Sequence, residues 1–199
     1  METTKNNRNI KIILVGGNTK DRLDFSDKWV KNIYSDKMKS HINSEFSVKE
    51  VEIEGVKYMI NLWVYYSTDL NLIITKIFTF NSLGVVYFSD DDKDKISIVK
   101  SQIDDICRFE DGNKLPSILI GTDNDNEGEL KEFAVKNEID SVFKVSIKEG
   151  INVNESMEYL INIINKRMKE SIGWENYFNK PKTKKLDSKN DKQKKNGNC

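Results

Sequence analysis

Three mostly apolar runs, at residues 10–15, 83–88 and 117–121, most restrict what this chain can become, because a helical stripe follows each of them. A strand that is apolar on nearly every residue needs cover on both faces, which is the condition of a parallel sheet between helices. Leu23, Phe25, Trp29, Val30 and Ile33 recur at near-helical spacing over residues 22–34, and Ile96, Val99, Ile103, Ile106 and Phe109 do so after the second run. After the third, residues 132–134 open a helix and residues 142–148 read as a strand. The last helix then carries Val153, Met157, Leu160, Ile161, Ile164 and Met168. Residues 46–53 and 56–64 flank the two-residue turn Glu54-Gly55 and predict an antiparallel hairpin. Together these imply an α/β fold: a six-stranded, mostly parallel sheet with one antiparallel edge strand and helices on both faces.

The chain has 199 residues, enough for one domain and a tail. The expected division is a flexible N-terminus at 1–9, a domain at 10–172 and a disordered basic segment at 173–199. The net charge of zero hides an asymmetry: residues 180–199 hold eight Lys and two Asp, so the tail carries +6 and the rest of the chain −6. An acidic body argues against nucleic acid as a partner, while the lysines suit an anionic surface. Cys107 falls on the apolar side of an expected helix and reads as a small core residue. His41 is the single histidine, so zinc chemistry and a histidine-based triad are excluded. The N-terminus lacks an apolar stretch that would serve as a signal, and residues 70–80 are interrupted by Asn71 and Lys76, which predicts a cytoplasmic protein.

Several local runs, in order and spacing, resemble the Rab branch of the Ras superfamily over residues 10–169. Lys39-Ser-His-Ile-Asn-Ser-Glu-Phe46 is similar to the stretch through which such proteins report nucleotide state to effectors. Leu62-Trp63 resembles the end of their third strand, Gly84 the glycine before the fourth, and residues 103–108 the third helix. Residues 122–125 stand where the family writes Asn-Lys-x-Asp, and residues 146–148 where it writes Ser-Ala-Lys. The resemblance implies a P-loop NTPase fold of the Ras-like G-domain type, guanine nucleotide (GTP or GDP) with Mg²⁺ as cofactors, and effector proteins as partners. It places Gly16, Gly17, Lys20, Arg22, Asp125, Ser146 and Lys148 at the nucleotide, and His41, Ile42, Glu45 and Phe46 in the effector region.

The departures from that pattern fall on the chemistry. In the family's Gly-x4-Gly-Lys-Ser/Thr, backbone N–H groups wrap the β-phosphate, the Lys neutralises its oxygens and the hydroxyl ligates Mg²⁺. Here Gly16 is kept, but Asp21 takes the second glycine, Arg22 the lysine and Leu23 the metal ligand. A carboxylate roughly 4 Å from a phosphate costs about 4 kcal/mol at an effective dielectric near 20. Arg22, or Lys20 in another register, offsets part of that. Asp-x-x-Gly-Gln is replaced by Val64-Tyr-Tyr-Ser-Thr68, and the metal-ligating threonine of the effector region by His41. At the base, Asp125 keeps the carboxylate that accepts from guanine, while Thr122 and Asp123 replace the Asn and Lys. The expectation is impaired or lost nucleotide binding, no Mg²⁺ and no catalytic residue for hydrolysis.

A terminal Cys199 after the lysine-rich stretch resembles a Rab prenylation tail, with one cysteine where the family usually has two or a Cys-a-a-X box. Lipid at Cys199 plus lysines would place the protein peripherally on the cytosolic face of a membrane. Three functions follow: a membrane-anchored, partner-binding Rab-like protein of vesicle trafficking with degenerate nucleotide chemistry; a working GTP-binding switch with slow hydrolysis; or an adaptor that uses the tail alone.

Overall fold

The computed structural model describes residues 8–36, 44–65, 79–89, 100, 114–122 and 124–171. Six strands form one sheet: β1 (Arg8–Gly16), β2 (Ser44–Ile53), β3 (Val56–Tyr65), β4 (Ser82–Phe88), β5 (Ser117–Gly121) and β6 (Ser141–Lys144). Their spatial order is β2-β3-β1-β4-β5-β6. Only β2 runs antiparallel to its neighbour, so the expected edge strand stands where the hairpin reading placed it. Glu54 and Gly55 both take positive φ, 50° and 77°, which gives the turn the twist that suits a two-residue hairpin. β1 begins at Arg8, inside the stretch expected to be flexible. Arg8 registers with Tyr58 of β3, and its Nη1 donates to the Tyr58 hydroxyl at 3.3 Å.

The described helices are α1 (Thr19–Lys31), α2 (Glu127–Lys136) and α3 (Val153–Ser171). Along β1 the side chains divide between two cores as strand alternation demands. Ile10, Ile12 and Leu14 meet Leu23, Phe25 and Trp29 of α1 and Met157, Leu160, Ile161 and Ile164 of α3. Ile13 and Val15 point the other way, toward Leu130 and Ala134 of α2. Every residue of the α3 stripe is buried as its periodicity requires, and truncating one such as Leu160 to alanine removes about 2–5 kcal/mol. Phe25 meets Phe88 edge-to-face with ring centroids 5.3 Å apart, locking α1 onto the end of β4.

Two helical boundaries differ from expectation. α1 starts at Thr19 rather than Arg22, and α2 at Glu127 rather than Glu132, each under an asparagine cap. The expected helix at residues 96–109 (apart from Lys100), Cys107 and the segment 173–199 with Cys199 lie outside the described residues.

The chain leaves β1 for β3 on one side and reaches β4 on the other. The carboxyl ends of β1 and β4 therefore flank a topological switch point, where α/β sheets place their ligands.

Candidate functional site

The turn leaving β1 lies directly on the end of β4. Gly16 and Gly17 have φ of 79° and 52°. A Cβ at Gly16 would stand 2.6 Å from the Phe88 carbonyl oxygen, and one at Gly17 would stand 2.8 Å from both Phe88 Cβ and the Ser89 carbonyl oxygen. Only glycine tolerates both the backbone and the proximity. The next residue, Asn18, has extended backbone and caps α1, its Oδ1 accepting from the Asp21 N–H at 2.8 Å. Its Nδ2 donates back to Asp21 Oδ2, while the Arg22 N–H reaches the Asn18 carbonyl oxygen at 3.5 Å. Asp21 thus occupies the third position of a helix, where a carboxylate complements the helix dipole. Burial nevertheless outweighs its bond to Asn18 and raises its pKa. Residues that a wide phosphate-wrapping turn would need are wound into α1, and the amides of Asp21 and Arg22 are spent within it.

Arg22 folds back over this turn and is only 3% exposed. Nη1 donates to the Gly16 carbonyl oxygen and, at 2.9 Å, to that of Gly17, and Nη2 donates to Thr19 Oγ1 at 3.0 Å. Its neighbour Lys20 points outward to a different group. The ammonium pairs with Asp24, which is the main cause of its raised pKa. It also donates to the Ser35 carbonyl oxygen at 3.3 Å and lies 5.1 Å from the centre of the Tyr34 ring. Leu23 and Val64, at two positions where the family resemblance implies metal support, are apolar and packed in the α1–α3 core. His41, the third, lies outside the described residues. Among the described residues no group of three or more His, Cys, Asp and Glu side chains could hold a metal ion.

Across the switch point, Asp125 Oδ2 accepts from Ser89 Oγ at 2.7 Å, from the Thr122 N–H at 2.6 Å and from Thr122 Oγ1 at 3.0 Å. The Asp125 N–H returns to the Thr122 carbonyl oxygen at 3.2 Å, closing a tight turn after β5. The following loop is held alongside, with the Val145 N–H on the Gly121 carbonyl oxygen at 2.8 Å. Ser146 there bridges to Ile151, its carbonyl oxygen accepting from the N–H groups of Gly150 at 2.7 Å and Ile151 at 3.0 Å; Lys148 is exposed. The structure therefore brings Gly16, Gly17 and Arg22 together, keeps Ser146 and Lys148 on a loop beside the Asp125 turn, and turns Lys20 toward residues 34–35.

In the effector region, Phe46 on β2 is 52% exposed and leans on Trp63 of β3, centroids 5.1 Å apart. Lys11 of β1 completes the patch: its ammonium lies 4.7 Å from the centre of the Trp63 ring and donates to the Phe80 carbonyl oxygen at 3.1 Å. Burial lowers its pKa to about 8. The Glu45 backbone pairs with Val64, whereas His41 and Ile42 lie outside the described residues.

Three contributors escaped the sequence reading. Asn18 carried a local signal, the Asn-x-x-Asp spacing of a helix start. Ser89 and Lys11 carried none, because their partners, Asp125 and Trp63, are distant in sequence.

Residues 11–166 match the model of the Ras family. Among curated proteins the chain is similar to the Ras-related protein Rab-32C of Dictyostelium discoideum, 26% identical over 163 residues that cover 78% of this chain and 73% of that protein. With the sheet order, the hairpin edge strand and the switch point already in place, this chain belongs to the Ras family, as a Rab-like member of its small GTPases.

Proposed function

We propose that this protein is a membrane-associated, Rab-like scaffold that serves vesicle trafficking by presenting the Phe46–Trp63 face to partner proteins, without binding or hydrolysing GTP. The observation that carries this reading is the turn after β1. Guanine nucleotide with Mg²⁺, which the family implies, does not fit the residues present. Arg22 lies over the turn and bonds its carbonyl oxygens, Asn18 and α1 consume the Asp21 and Arg22 amides, and Asp21 puts a carboxylate at the position where the family has glycine. Leu23 and Val64 offer a metal no oxygen ligand. Partner binding is favoured by the exposed aromatic Phe46 beside Trp63, since aromatic side chains concentrate interface energy.

Membrane attachment is supported by the tail. Cys199 offers a lipidation point, and the eight lysines of residues 180–199 add roughly 1 kcal/mol each near an anionic leaflet. No helix among the described residues is long and apolar enough to cross a membrane.

Purified full-length protein should release no guanine nucleotide on denaturation and chromatography. Stoichiometric GDP or GTP would instead support a second reading, a GTP-binding switch with slow hydrolysis, for which the retained Asp125 carboxylate at the switch point speaks. Cys199→Ser should move the protein from membrane to cytosolic fractions.

A further inference from the structure

We infer that Lys20 and Arg22 act together as a built-in replacement for a bound nucleotide, fastening the turn after β1 to the chain that leads into β2. The inference rests on the reading that this turn holds no nucleotide, and adds what holds the region in its place. In a nucleotide-binding relative the ligand and its metal bridge the phosphate turn and the effector segment. Here two cations in the first turn of α1, two residues apart and so directed to different sides of the helix, hold the two regions separately: Arg22 the turn and Lys20 residues 34–35.

Arg22 closes the turn itself, through Gly16, Gly17 and Thr19. Lys20 reaches onward. Its bond to the Ser35 carbonyl oxygen and its position over Tyr34 tie the start of α1 to residues that follow the end of the same helix. That reversal is possible because Asn32 leaves α1 in the left-handed conformation, φ 55°, with its N–H on the Lys28 carbonyl oxygen at 3.0 Å. Asp24, buried one turn below Lys20, fixes the ammonium from the other side. A further lysine continues the chain of links. Lys49 on β2 donates to the Trp29 carbonyl oxygen at 2.7 Å, and its ammonium lies 4.4 Å from the centre of the Trp29 ring, so β2 is pinned to α1 as well.

Charge explains why cations suit this position. The turn presents carbonyl oxygens to the switch point, and a guanidinium or ammonium satisfies these where an anionic ligand would be repelled. The consequence is a single standing arrangement of residues 32–36, independent of any ligand. Lys20 and Arg22 are positioning residues: Arg22 holds the turn after β1, and Lys20 holds residues 34–35 against the start of α1.

The test is hydrogen exchange followed by mass spectrometry on the full chain, with wild type, Lys20→Ala, Lys20→Arg, Arg22→Ala and Arg22→Lys, each with and without added GDP and Mg²⁺. Lys20→Ala should raise exchange at residues 32–36 about tenfold while leaving α3 as in wild type, and Lys20→Arg should restore protection. Arg22→Ala should raise exchange at 16–20, with Arg22→Lys intermediate. If Lys20→Ala does not fold, Lys20→Met keeps the stem and is read the same way. Unchanged exchange at 32–36 in a nucleotide-free protein overturns this inference alone. GDP-dependent protection of residues 16–24 in wild type overturns the reading of an empty turn beneath it.

Discussion

Ser89 and Asp125 meet across the carboxyl ends of β4 and β5, the hydroxyl donating to Oδ2 at 2.7 Å, and this bond makes a retained base-recognition residue part of the scaffold. The same oxygen serves two donors on Thr122. Removing the carboxylate therefore strands several donors at once. Asp125→Ala should lower stability by about 1–3 kcal/mol in urea unfolding, while Ser89→Ala should cost about 1 kcal/mol or less. Equal, negligible losses would place Asp125 outside the fold's support.

Gly16→Ala should be among the most damaging single changes outside the core. Its positive φ alone costs about 1–3 kcal/mol for a residue with a Cβ, before the contact with the Phe88 carbonyl oxygen is counted. The urea midpoint should fall accordingly, and Gly55→Ala, whose Cβ would meet nothing within 4 Å, should fall less.

Asn18→Ala should remove about 1 kcal/mol and fray the first turn of α1, and Asn18→Asp or Asn18→Ser should retain most of it. Helical far-ultraviolet signal together with denaturant titration separates these variants. A phosphate-wrapping turn would make the identity of residue 18 immaterial.

Lys11 gives a pH signature. Its folded pKa of about 8 lies below the ordinary value of 10.5, so the folded state disfavours the charged form. That cost is complete below about pH 8 and disappears as pH rises to 10.5. Wild type should accordingly gain stability relative to Lys11→Met across that interval. Competitive acetylation near pH 8 should also modify Lys11 ahead of the fully solvated lysines, and a labelling rate equal to theirs would contradict the burial.

The hairpin and the α3 stripe were legible in the sequence because each is written in its own local period. Val153, Met157, Leu160, Ile161 and Ile164 repeat at helical intervals, and residues 46–53 alternate before a turn of the right composition. The alternating order then prescribed the sheet. The start of α1 was obscured for a physical reason: a spacing that begins with Gly16 invites comparison with a phosphate turn, while Asn18 and Asp21 were competing for the same backbone as a helix cap. At α2, the apolar residues opened the helix only at residue 132, whereas Asn126, whose Oδ1 accepts from the Gly128 and Glu129 N–H groups, caps it six residues earlier. The substitutions at the site could be read directly, but their reorganisation could not. The direction taken by Arg22 and Lys20 depends on Gly17, Thr19, Tyr34 and Ser35, and no periodicity encodes that.

The short turn after β1 is overdetermined. Asn18 holds its helical side, the Arg22 guanidinium holds its carbonyls, and the Phe88 carbonyl oxygen forbids it any bulk from below. Restoring glycine at position 21 alone would leave all of these fastenings in place, so regaining an anion cradle here demands coordinated replacement rather than one reversion.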